Sequence, residues 1–112
     1  MNADNLVPAP AARTNFRRDR YRDVPSASGC YVLASFAGFI LYVGLASSLR
    51  RRFEEHLDNP DKVGVTKHGA AYWFYWLQAK RLEPLERGWM NQYQVIHAAL
   101  PILNRANSPL SL

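Results

Sequence analysis

Leu49, Phe53 and Leu57 fall four residues apart within ASSLRRRFEEHLDNP, with charged residues between them. At about 100° per residue these three make one apolar stripe, which predicts an amphipathic helix. Ser47 or Ser48 can cap its start, and Asn59-Pro60 ends it. A second helix is predicted from near Pro84, a good first-turn residue, with Leu85, Trp89, Tyr93, Ile96 and Leu100 recurring at helical spacing until Pro101. Between the two, DKVGVTKHGA reads as a loop and AYWFYWLQ as a strand too aromatic to lie exposed. Upstream, Cys30 to Phe36 and Phe39 to Val43 read as two strands around Ala37-Gly38. A two-residue loop there sets Phe36 opposite Phe39, Leu33 opposite Tyr42 and Tyr31 opposite Gly44. Because side chains alternate faces, Tyr31 and Tyr42 then share a face as diagonal neighbours about 7 Å apart.

Residues 1–25 show no such periodicity. Pro8, Pro10, several alanines and then Arg13, Arg17, Arg18, Arg20 and Arg22 predict a flexible basic arm, either a solvated tail or a nucleic-acid contact. The expected division is this arm, a folded domain over 26–106 and a short polar tail over 107–112. A chain of 112 residues with 48% hydrophobic content is one domain with a modest core. The formal charge of +5 suits a polyanionic partner, nucleic acid first and an anionic membrane surface second. Cys30 is the sole cysteine, which excludes an intramolecular disulfide and a cysteine-based zinc site. It reads as a small buried hydrophobe in a reducing, cytoplasmic compartment. No secretory h-region and no run of about 18 apolar residues is present, so no membrane association is expected.

Three arginines in a row separate once placed on the helix. Arg50 and Arg51 lie outside the apolar stripe, each four residues before a glutamate (Glu54, Glu55), as surface pairs do. Arg52 sits on the rim of the stripe, about 60° from Leu49, with His56 one turn later on the same side. On the last helix Glu86 flanks the stripe while Glu83 points away. Each residue also has a plain reading: strand aromatics for Tyr31 and Tyr42, a snorkelling rim side chain for Arg52, a first-turn acid facing the helix dipole for Glu86. His68 and His97 read as surface or packing residues.

Gly29-Cys30-Tyr31 and Tyr42-Val43-Gly44, followed by Arg52, His56, the glutamate of PLERGWM and the asparagine of PILNR, resemble the GIY-YIG nuclease superfamily in residue type and order. The resemblance runs from about Gly29 to Arg105. It implies an α+β fold, a three-stranded antiparallel sheet flanked by helices in the order β-β-α-β-α. It also implies an endonuclease that hydrolyses a nucleic-acid phosphodiester, DNA in preference to RNA, with one Mg²⁺ or Mn²⁺. By the resemblance Tyr42 is the general base and Tyr31 orients water or phosphate. Arg52 meets the phosphoryl charge, His56 bonds the phosphate or Tyr42, Glu86 holds the metal, and Asn104 braces the site. A phenol of ordinary pKa is a poor base at neutral pH, so nearby cations must favour its anion. Many members carry a lysine just after the second motif, where this chain has Leu45. The alternative is a binding module that keeps the fold and its basic surface without cleaving.

Overall fold

The structure, a computed structural model, describes residues 1–107. Its frame is a sheet of four antiparallel strands: β1 (Ala12–Asn15), β2 (Gly29–Ala34), β3 (Ile40–Ala46) and β4 (Trp73–Gln78). Their order across the sheet is β1-β4-β2-β3. The fold is α+β as expected, but the sheet has four strands rather than three. The extra strand comes from the segment expected to be a flexible arm: Thr14 pairs with Phe74 and Arg13 with Tyr75. Ala3, Leu6, Phe16 and Val24 from that segment are all buried. These four are too widely spaced to show a period, yet each reaches a core.

The β2–β3 register carries Tyr31 opposite Gly44 and Leu33 opposite Tyr42, as the alternation predicts. The tight turn does not form. Pairing shifts after Leu33, Ala34 lies opposite Ile40, and Leu41 is the extra residue of a bulge. A longer loop closes the hairpin, with the Ser35 N–H donating to the Phe39 carbonyl and the Gly38 N–H to the Ser35 carbonyl. Gly38 takes a φ of 91°, which a side chain would resist. Phe36, expected to pair with Phe39, points outward instead and is 72% exposed.

Four helices follow: α1 (Leu49–Leu57), α2 (Pro60–Val63), α3 (Leu82–His97) and α4 (Ile102–Asn107). Ser48 caps α1 by accepting from the Arg51 N–H at 3.3 Å. α3 stops earlier than Pro101 implies. Ala98 turns into the left-handed region at φ 54°, and Ile96 is left 62% exposed. α4 includes Asn107, the first residue of the expected tail; residues 108–112 lie outside the described residues. None of the helices described is long and apolar enough to cross a membrane.

Alternation along β2 divides the interior in two. Tyr31 and Leu33 face one core with Phe53, Phe74, Phe16, Val24 and Leu103. Cys30, Val32 and Ala34 face the other with Trp89, Tyr93, Ala3 and Leu6. α1 therefore covers one side of the sheet and α3 the other.

Candidate active site

On the α1 side the sheet brings two phenols together. The Tyr31 and Tyr42 rings stack with centroids 5.9 Å apart and planes 30° from parallel. Gly44 makes this stacking feasible. A Cβ there would lie 2.5 Å from the Tyr31 hydroxyl oxygen and 2.8 Å from a Tyr42 ring carbon. Phe74 backs Tyr31 from β4, with centroids 5.0 Å apart and planes only 9° from parallel. Tyr31 is fully buried, whereas Tyr42 keeps part of its surface open.

α1 delivers the next two groups from one helical face. His56 is buried, with its Nε2 2.6 Å from the Tyr31 hydroxyl, and its ring lies edge-on to Tyr42 at 5.3 Å. Burial, with help from the charges of Lys62 and Arg52, pushes the His56 pKa from 6.5 down to about 3. The imidazole is thus neutral at physiological pH. Burial likewise drives the Tyr31 phenol well above its ordinary value, and the neighbouring Tyr42 hydroxyl adds to this, while Arg52 pulls the other way. A protonated phenol and a neutral imidazole share one hydrogen bond between the Tyr31 oxygen and Nε2, its direction set by the imidazole tautomer. Tyr31 is held as an acid, not a base.

Arg52 behaves as its place on the rim implies and Arg50 and Arg51 do not. The Arg52 Nε donates to Glu55 at 3.0 Å, in a pair that leaves its side chain 35% exposed. Glu55, expected opposite Arg51, is therefore taken by Arg52. Arg51 instead donates to the Ser47 hydroxyl at 3.1 Å, and Arg50 Nε donates to the Val24 carbonyl at 2.8 Å, tying the N-terminal segment to α1. Asn104 reaches the site through the backbone. Its Oδ1 accepts from the Val43 N–H and its Nδ2 donates to the Val43 carbonyl, both at 2.9 Å, so it braces β3 between Tyr42 and Gly44.

Glu86 lies on α3, the helix over the other core, and its charge acts on Cys30. Burial is the larger cause, and the thiol is raised to about 11. Burial also raises the Glu86 carboxyl itself, with Glu83 adding to it and Arg87 opposing. Among the described residues no group of three His, Cys, Asp or Glu side chains is placed to hold a metal ion. His68 and His97 are packing residues, their rings 4.6 and 5.4 Å from that of Phe39.

One member of the site is invisible to periodicity. Lys62, in a segment that reads as loop, lies on α2 with 1% exposure and its Nζ 4.6 Å from the centroid of the Tyr42 ring. Asn59 caps this short helix by accepting from the Asp61 N–H, and Pro60 opens it. The Asn-Pro-Asp sequence was the available signal: it begins a helix as well as ending one. Compared with known proteins, the chain matches no family model and no curated sequence, so the site is read from its own geometry.

Proposed function

We propose that this chain is an endonuclease of the GIY-YIG type, hydrolysing phosphodiester bonds of nucleic acid at the Tyr31–Tyr42 pair. The observation that carries this reading is the coupling of one buried, protonated phenol to a neutral histidine, with a second, part-open phenol stacked beside it. A purely structural aromatic pair has no need of a histidine at 2.6 Å or of two cations at its rim.

The division of labour follows from the surroundings of each group. Tyr42 takes the proton of the attacking water, with the Lys62 Nζ 4.6 Å from the centroid of its ring. Tyr31, fixed through His56, offers a hydroxyl dipole rather than a base. Arg52 meets negative charge developing on the phosphoryl oxygens with a planar guanidinium. Asn104 holds the strand between Tyr42 and Gly44 in place. By the same reading Glu86 would hold a divalent ion, Mg²⁺ or Mn²⁺, through oxygen ligation, and no step is routed through it. Leu45, where many GIY-YIG members carry a lysine, favours a second reading, a nucleic-acid-binding module that keeps the site but does not cleave.

A cleavage panel separates the two. Single-stranded, duplex and branched DNA and an RNA are each incubated with Mg²⁺, with Mn²⁺ and with chelator, alongside Tyr42→Phe. The endonuclease reading expects cleavage of at least one substrate by the wild type. It also expects its loss in Tyr42→Phe, with binding and melting temperature little changed, because only a hydroxyl is removed. Salt-sensitive binding with no cleavage of any substrate supports the binding module. Equal cleavage by Tyr42→Phe removes the general-base role.

A further inference from the structure

Lys62 is a buried lysine that no described carboxylate pairs with. Among the described residues its ammonium makes no hydrogen bond and no ion pair, and it lies 4.6 Å from the centroid of the Tyr42 ring. Lys62 is 1% exposed, and its Nζ lies over Tyr42, a ring that keeps part of its own surface open. Burial lowers the Lys62 pKa, and the only acid acting on it, Asp61, opposes that without pairing. Attraction to an aromatic face recovers only part of what removing an ammonium from water costs. The positive charges of Lys62 and Arg52 both act on His56, and the imidazole stays neutral rather than adding a third charge. Glu55 on Arg52 is the one carboxylate paired at this rim, and it is exposed and replaceable. This is an arrangement short of an anion.

We propose that Lys62 and Arg52 form an anion seat against Tyr42 that takes a phosphate group of the nucleic-acid backbone. The seat gives the proposed endonuclease its substrate contact and rests on that reading for the identity of the ligand. Lys62 supplies a point charge from α2 and Arg52 a fork of donors from α1, so a tetrahedral oxyanion is held from two elements. Tyr42 is thereby set next to the bound phosphate.

The chain has three lysines, Lys62, Lys67 and Lys80, so lysine-selective ¹³C labelling gives a small spectrum with two internal controls. Titration of the full chain with inorganic phosphate is expected to shift the Lys62 ¹³Cε signal saturably while Lys67 and Lys80 move little. Lys62→Met keeps the apolar stem and removes the charge. It is expected to abolish the phosphate response, to raise the melting temperature because an uncompensated buried charge is gone, and to lower cleavage about 100-fold. A packing role makes the opposite demand, a lower melting temperature with cleavage unchanged. Equal shifts at all three lysines, or wild-type cleavage by Lys62→Met, overturns the seat while leaving the endonuclease reading intact. Saturable phosphate binding at Lys62 in a protein that cleaves nothing keeps the seat and discards the endonuclease.

Discussion

Protons at the site are distributed by burial more than by charge, and His56 shows the consequence most directly. Its pKa falls from 6.5 to about 3, first through burial and then through Lys62 and Arg52. In the unfolded chain the imidazole takes a proton below about pH 6.5, while the folded chain refuses one until about pH 3. Across that window the unfolded state binds more protons, so stability falls as pH falls, by up to about 1.4 kcal/mol per pH unit from this residue. His56→Gln keeps a polar partner for the Tyr31 hydroxyl and removes the titration. Urea unfolding between about pH 6.5 and pH 4 is expected to give a shallower fall in stability for His56→Gln than for the wild type. Parallel curves would mean that His56 is not held neutral.

At the level of elements, the N-terminal segment is part of the fold rather than an appendage. Leu6, Phe16 and Val24 are each buried, and β1 supplies the edge beside β4. Burying such side chains stabilises by about 1.5–3 kcal/mol each, against a net stability of about 5–15 kcal/mol for a whole domain. Removal of residues 1–24 is therefore expected to abolish cooperative thermal unfolding by circular dichroism. A truncated chain that melts like the full one would return the segment to a passive tail. The sequence hid this because a four-residue strand with one inward side chain, Thr14, has no period to detect. Register was legible between β2 and β3, since a one-residue slip would turn every side chain of the strand to the wrong face. The turn was not, because a bulge at Leu41 lengthens the loop without disturbing the Tyr31–Gly44 pairing. The surroundings of Glu86 were not legible either. Helical periodicity says which face of α3 is apolar, but not on which side of the sheet that face settles. The grouping of Tyr31, Tyr42, Arg52 and His56 was readable because all four lie on consecutive elements joined by short connections.

For the molecule as a whole, helices cover both faces of the sheet, and the longer of its two edges is the outer side of β3. An open strand edge is a template for a neighbouring chain. Here the Ile40 N–H donates to the Met1 carbonyl at 3.0 Å, and the Asn104 side-chain amide occupies both backbone groups of Val43. An amide that offers one donor and one acceptor at strand spacing imitates a single residue of a fifth strand, so the sheet ends in a dummy neighbour. Asn104→Ala withdraws it and leaves a donor–acceptor pair open in mid-strand. Sedimentation velocity is expected to show this variant self-associating as concentration rises, while the wild type does so less. A variant as monodisperse as the wild type would leave Asn104 with bracing as its whole task. The side chain that holds β3 between Tyr42 and Gly44 thus doubles as a cover for the edge of the sheet.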